Sequence, residues 1–516
     1  MKPSVAVIGA GVAGMSAALI LARRGFSTLL IEAGPRLAPV LRGFKRKGVL
    51  YDTGFHYAGC LNPGATMDAY FRYLGLAPRL RLAEPLSGLS DFFRYEDFTC
   101  EFPYDYSALR RVLVQRFSRD AVGIDRYLNA VRSLFESNAH CNPLGAHGTP
   151  FPGPPFNALD SGHRFSDRTL AEVLDAWLTD PQLKRLLGIH SLLYGADPRS
   201  VSFTEHARFV GSYYQSAHRI LDGGRSLAKA FEAALAMAKV RVLTNHPVTE
   251  ILARDAAGQK SGQEVVGLRF ANGERLDCQA VVATVHPRLV AQLAPEPTFR
   301  QAYRQRMEAS EDSFSAFAVF ASTTRSIPRL EQGNLHLGSH PDFHLDRPAA
   351  LPVEQRPLFI AQSVSRSPGA GLQPAGVAIL CPASLSEVAA WGASRVGRRP
   401  ASYRAFKNGI GRRVLDRALS CFPELADGLA PMACATPLTF RDYNHSPRGA
   451  LYGLRRSADA LAPLPVTRLK GLYLAGQAVT GPGVLGAMIS AFIGCGPLCD
   501  GADALLQEVR ECSNGS

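Results

Sequence analysis

The chain has 516 residues, of which 46% are hydrophobic and 20% charged, a globular balance that excludes a disordered chain and a many-span membrane protein. Its 57 Lys+Arg against 44 Asp+Glu give a net charge of +13, but the excess lies in short pieces such as Lys45-Arg46-Lys47, Arg398-Arg399, Arg412-Arg413 and Arg455-Arg456. With no basic stripe, a nucleic-acid partner is not expected, and scattered cations suit peripheral contact with an anionic membrane surface better. The ten cysteines lie far apart, which fits reduced thiols and a cytoplasmic location. Cys495 and Cys499 have no second Cys or His pair at metal spacing nearby, so no metal site is expected.

The run Ser4-Val5-Ala6-Val7-Ile8 reads as a central parallel strand, and Gly9-Ala10-Gly11-Val12-Ala13-Gly14 follows without a gap. The first glycine permits a tight turn, the second lets backbone approach a pyrophosphate, and the third lets the helix pack on the sheet. Met15 to Arg24 supplies that helix, whose amino end carries partial positive charge and free N–H groups. A second strand, Thr28-Leu29-Leu30-Ile31, ends in Glu32, about twenty residues past the glycines, where a carboxylate can accept both ribose hydroxyls. The uncharged stretch Val5 to Ala22 therefore reads as strand, turn and helix rather than as a signal peptide or membrane span. Glu32 favours an unphosphorylated ribose, which fits FAD and NAD equally.

A basic β-hairpin around Lys45 to Lys47 leads into Tyr51-Asp52-Thr53-Gly54-Phe55-His56-Tyr57. Residues 90 to about 215 mix helical stretches, Ser107 to Phe117 and Leu170 to Trp177 among them, with a Pro/Gly-rich loop from Asn142 to Pro155. Leu186 to Tyr194 reads as an apolar helix. Asp222-Gly223-Gly224-Arg225-Ser226-Leu227 precedes a helix, and Val240 to Thr244, Val248 to Ile251 and Ala280 to Thr284 read as extended segments. Ser313 to Phe320 alternates as a strand of a second sheet. Gly409-Ile410-Gly411 follows polar residues, so no second nucleotide site for NAD(P)H is expected. Pro447-Arg448-Gly449-Ala450-Leu451-Tyr452-Gly453 leads to a last strand ending at Gly476, and Gly481-Pro482-Gly483 opens a closing helix through Val484 and Ala487. A second helix amino end of this kind can hold negative charge on a reduced flavin, which an NAD dehydrogenase does not need.

These strings, in this order, resemble the flavin amine-oxidase-like proteins, in the branch of phytoene desaturases, carotenoid isomerases and retinol saturases. The resemblance implies an α/β fold: an FAD-binding Rossmann-like domain with a GxGxxG turn, an inserted mixed-sheet substrate domain and a helical cap. The division expected is 1–90, 216–294 and 436–516 for the FAD side, with 91–215 and 295–435 for the substrate side. It implies FAD held by Gly9, Gly11, Val12, Ala13, Gly14, Glu32, Ala33, Arg36, Val248, Gly476, Gly483, Val484 and Ala487. One departure stands out: where the family places a Gly-Gly pair, this chain has Ala38-Pro39, and Pro39 cannot donate a backbone hydrogen bond. A local rearrangement is expected there rather than loss of FAD.

The activity implied is redox or isomerisation chemistry on the double bonds of a lipophilic polyene of carotenoid, retinoid or isoprenoid type. Oxygen, a quinone or a separate reductant would exchange the electrons. His56 and Tyr57 are the candidates for proton handling, since imidazole titrates near neutrality, and Arg448 and Tyr452 for anchoring a polar substrate end. His140, His190, His206, His286 and His445 lack such context. Two alternatives stay open: a flavin amine oxidase, and a non-catalytic isoprenoid carrier on the same fold.

Overall fold

The computed structural model describes residues 4–149, 151–152, 159–160, 163–255, 262–296, 298–365, 375–426, 428–457, 460 and 463–514. Five parallel strands form the first sheet, in the order Arg241–Leu243, Ser27–Ile31, Ser4–Ile8, Ala280–Ala283, Leu472–Leu474. The opening strand is central, with Val7 opposite both Leu30 and Val282. Helices and a small antiparallel sheet cover its two faces, which explains a continuous apolar run in place of alternation. Start, middle and end of the chain thus meet in one sheet. The opening helix Val12–Arg23 carries Ala17 and Ala18 on its buried side, small enough for the closing helix Gly483–Cys495 to pack closely, with Cys495 Sγ 3.9 Å from Ala17 O.

A second, seven-stranded sheet runs in the order Ala430–Ala435, Ser315–Thr323, Ala375–Ala383, Leu358–Gln362, Leu335–Leu337, Ser90–Arg94, Thr99–Pro103. It is antiparallel except where Leu335–Leu337 pairs with Ser90–Arg94. The alternating strand of the sequence is Ser315–Thr323, and its two faces are both buried. Phe317 and Val319 enter one core while Ala316, Ala318 and Phe320 enter another, under the hairpin strands Phe44–Arg46 and Val49–Tyr51. The period of two therefore sorts residues between two apolar layers, not between core and water.

A helical layer, including Tyr106–Arg116, Ala121–Glu136, Leu170–Trp177, Pro181–Gly188 and Phe203–Gln215, closes over an aromatic-rich core. Its starts are dictated locally: Asp105, Thr169, Asp180 and Ser202 each accept a backbone N–H as N-caps, and Thr169 forms a capping box with Glu172. The apolar stretch Leu186 to Tyr194 is not the single helix expected. The helix stops at Gly188 and continues as a 3-10 turn, Ile189–Leu193. Gly409-Ile410-Gly411 lies inside the helix Ala401–Cys421 and turns no strand. Part of the Asn142 to Pro155 loop, at 150 and 153–155, lies outside the described residues. Among the described residues no helix is long and apolar enough to cross a membrane, and no His/Cys/Asp/Glu group could hold a metal.

Candidate active site

Two glycine turns sit side by side at the carboxyl ends of the central strands. Gly9 has φ +97°, Gly476 has φ +115°, and Thr284 lies between them. A Cβ on Gly9 would sit 2.9 Å from Thr284 Oγ1, and one on Gly476 2.9 Å from Thr284 O. Thr284 Oγ1 donates to Ile8 O (2.9 Å) and Gly9 O (3.1 Å), locking the turns together. Gly14 is required by packing, because its Cβ would fall 1.8 Å from Gly9 O. Gly11 is different: among the described residues, its chain neighbours aside, no atom lies within 4 Å of its would-be Cβ, and its φ is an ordinary −74°. Nothing in the protein calls for a glycine there, whereas a closely approaching ligand does.

The first helical hydrogen bond runs from Met15 N–H to Gly11 O, and no side chain caps the helix, so the N–H groups of Val12, Ala13 and Gly14 have no helical partners. Glu32 is buried, its Oε2 accepting from Ala10 N (2.9 Å) and its Oε1 from Gly34 N (2.8 Å). A carboxylate held this way keeps lone pairs for ribose hydroxyls. The Glu32 carbonyl accepts from His246 N at 3.0 Å, which brings the start of Val248–Asp255 to the same edge. Gly483, at φ +78°, turns the chain into the closing helix, on which Val484 is half-buried and Ala487 buried. Ala33 and Arg36 are exposed on the rim. These residues fit an adenosine diphosphate: unpaired amides for phosphate, a buried carboxylate for ribose, and free space at Gly11.

The departure at Ala38-Pro39 has a structural solution. Ala38 adopts φ +51°, the left-handed conformation that favours glycine, and donates its N–H to Ala10 O at 2.8 Å. We expect Ala38→Gly to relieve about 1 kcal/mol of strain and, after the entropy of a freer unfolded chain, to change stability by less than about 0.5 kcal/mol in urea unfolding. An ordinary buried Ala→Gly would instead cost about 1 kcal/mol.

The string from Tyr51 to Tyr57 packs against the one from Asp222 to Leu227. Gly223 (φ +54°) and Gly224 begin the helix Gly223–Met237, a Cβ on Gly223 would lie 2.5 Å from the Asp52 carboxylate, and Gly224 N donates to Asp52 Oδ1 at 3.2 Å. Burial raises Asp52 to about 6, opposed by bonds from Ser363 and Gly224. This contact delivers His56 and Tyr57 to the wall of a cavity of about 260 Å³, whose other walls include Tyr213, Phe359, Tyr452 and the Gly481-Pro482-Gly483 turn.

The deep groups of the cavity are neutral. Burial, aided by the Arg219 charge, lowers His56 to about 4, and its Nε2 has no hydrogen-bond partner among the described residues. Burial raises Tyr57, Tyr213 and Tyr452 above the usual phenol range. Tyr57 lies 5.2 Å from Tyr213 and 6.2 Å from Phe359, ring to ring, and its hydroxyl meets that of Tyr104 at 3.2 Å. Tyr194, also on the wall, bonds His206 Nδ1 (2.8 Å), and Tyr127 bonds His206 Nε2 (2.7 Å).

Burial lowers His206 to about 3. The folded state therefore refuses a proton that the unfolded chain takes up below about 6.5, so the stability contributed by neutral His206 is complete above that pH and is lost as pH falls toward 3. The expected slope is about 1.4 kcal/mol per pH unit. His206→Phe, which cannot titrate, should flatten the urea-midpoint profile between pH 6.5 and 4 by that amount.

Arg448 corrects an expectation. It does not line the cavity; its guanidinium donates to Ser310 O (3.1 Å) and Glu308 O (3.0 Å), capping the helix Gln301–Ala309. Tyr452 does line it. Reasoning from sequence missed Tyr213, Tyr194 and Phe359, of which only the Tyr213-Tyr214 doublet at the end of a helix offered a signal.

A parallel sheet with a glycine turn, a ribose carboxylate and a second helix start beside an aromatic cavity defines a flavin-dependent oxidoreductase. Residues 12–359 match the family model for flavin containing amine oxidoreductases, and the chain belongs to that family. It is similar to the all-trans-retinol 13,14-reductase of Macaca fascicularis, 26% identical over 95% of this chain and 85% of that protein. It is also similar to the 4,4'-diapolycopene oxygenase of a Methylomonas species, 24% identical over 66% of this chain and 67% of that one. Among solved structures, an oxidoreductase from Methanosarcina mazei shares the fold, with TM-score 0.63, 14% identity and coverage of 95% and 99% of the two chains. Within the family the chain falls in the branch of retinol saturases and carotenoid enzymes.

Proposed function

We propose that this protein is an FAD-dependent oxidoreductase acting on carbon–carbon double bonds of a lipophilic polyene of retinoid or carotenoid type, with 1–90, 216–294 and 436–516 on the cofactor side and 91–215 and 295–435 on the substrate side. The observation that carries the substrate class is the length and polarity of the cavity. It reaches from His56 and Tyr57 past the Gly483 turn to Ile489 and Ile493. Gly483 and Ile493 stand ten residues apart on one helix, about 15 Å at 1.5 Å per residue. An apolar channel of that length suits an extended hydrocarbon better than a short amine.

The Glu32 site favours FAD over FMN, which lacks the adenosine ribose for that carboxylate to hold. When bound, the flavin supplies hydride transfer. The protein's share is to align the chain, exclude water with Phe359 and the tyrosines, and place His56 as a neutral imidazole able to hold or pass one proton. Relatives that match 95% of the chain are named all-trans-retinol 13,14-reductases, which supports saturation as the direction. The separated cysteines support a cytoplasmic location, and the scattered cations support a meeting with the substrate at a membrane surface.

The test is anaerobic incubation of purified holoenzyme, with its flavin chemically reduced, with all-trans-retinol, phytoene and a cis-polyene. The expected result is reoxidation of the flavin spectrum and gain of one hydrogen pair by the retinoid. Unchanged spectra and masses with all three would overturn the reading.

A further inference from the structure

Asp91, in the strand Ser90–Arg94, is fully buried, and every group around its carboxylate is a donor. Asn334 N (2.7 Å) and Nδ2 (2.9 Å) reach Oδ1, while Tyr104 Oη (2.8 Å) and His336 Nε2 (2.7 Å) reach Oδ2. The Asn334 amide cannot be reversed, because its Oδ1 receives Arg219 Nη2 at 3.1 Å and a guanidinium only donates. His336 Nδ1 is buried and has no hydrogen-bond partner among the described residues, whereas Nε2 faces Asp91, so Nε2 is the nitrogen that donates. Arg219, buried two steps away, supplies the balancing charge.

Tyr104 has one hydroxyl proton, and Asp91 takes it. In the 3.2 Å contact between the two phenols Tyr104 can then only accept, so the Tyr57 proton is directed inward. What remains on the Tyr57 oxygen is a lone pair.

We infer that Asp91, acting through Tyr104, sets Tyr57 as a hydrogen-bond acceptor toward the ligand, which makes Tyr57 a specificity-determining residue favouring a lipophile whose polar end donates, an alcohol, over one that only accepts, an aldehyde. Asp91 and Tyr104 are positioning residues for this choice. The inference rests on the proposed function for the cavity and deepens it by naming the polar end of the ligand.

The experiment measures affinities of the holoenzyme for two alcohol and aldehyde pairs, all-trans-retinol with all-trans-retinal and cinnamyl alcohol with cinnamaldehyde, by perturbation of the flavin spectrum. The native protein should prefer each alcohol by about fivefold, the value of one hydrogen bond. Tyr104→Phe releases the Tyr57 proton and should move the ratio toward the aldehyde by about fivefold or more. In a Tyr57→Phe background the same substitution should leave the ratio unchanged, which a loss of general packing would not reproduce. A ratio indifferent to Tyr104→Phe, or an equal shift in both backgrounds, overturns the inference. If only the cinnamyl pair binds and shows the shift, the polyene reading falls while this one stands; if none of the probes binds, both fall.

Discussion

Gly14→Ala will prevent the cofactor half from assembling, while Gly11→Ala will leave it folded and impair only its hold on the flavin. At Gly14 the added carbon meets backbone, 1.8 Å from Gly9 O and 2.9 Å from Gly9 C, in a turn already locked by Thr284. Neither helix nor strand can shift without opening the central sheet, so the loss should be about 3 kcal/mol or more. At Gly11 the added carbon meets no atom of the described residues beyond its chain neighbours. Flavin-free protein carrying Gly11→Ala should unfold in urea within about 1 kcal/mol of the native protein. Its flavin dissociation constant should rise on the order of tenfold, from the methyl group occupying the approach of the pyrophosphate. Equal effects of the two substitutions on unfolding would remove the basis for placing a phosphate there.

Arg219→Ala should be the most damaging single change outside the glycine turns, at about 4 kcal/mol. The Arg219 guanidinium is fully buried and donates to Leu330 O (2.7 Å), Gly333 O (2.5 Å) and Asn334 Oδ1 (3.1 Å), closing the end of the helix Pro328–Gln332. Burial lowers it only to about 10, with Asp91, Tyr57 and Asp52 pulling it back up, so it stays charged. Its removal strands the carbonyls of Leu330 and Gly333 and leaves Asn334 Oδ1 without its donor. Urea unfolding at pH 7 measures the loss. Arg219→Lys should recover part of it, because an ammonium restores the charge but not the planar fork.

What could be read from sequence was whatever depends on near neighbours. The Gly9 to Gly14 turn, Glu32 at the next strand's end and the Gly483 helix start each follow from local geometry, and the structure joins Glu32 to Ala10 in the first turn and packs the closing helix on the opening one. Ser315–Thr323 was legible as a strand from its period, but not as a strand buried on both faces, since that depends on the hairpin Phe44–Tyr51 lying over it. The polar interior stayed hidden for the same reason. Asp91 finds its donors at Tyr104, Asn334 and His336, and Arg219 finds its acceptors at Leu330, Gly333 and Asn334, so no window of sequence contains either arrangement. Arg448 misled because its glycine-flanked string looks like a ligand loop, whereas the side chain ties down a helix end.

The central sheet has a bearing on how the protein is made. Its strand Ser4–Ile8 leaves the ribosome more than 450 residues before the edge strand Leu472–Leu474 and the helix that packs on Val12–Arg23. Until then the nascent chain exposes an unpaired parallel edge and the bare flank of an apolar helix, surfaces that invite chaperone attention. We expect flavin loading to wait for that strand and helix, so that a nascent chain halted before residue 472 should fail to retain the cofactor.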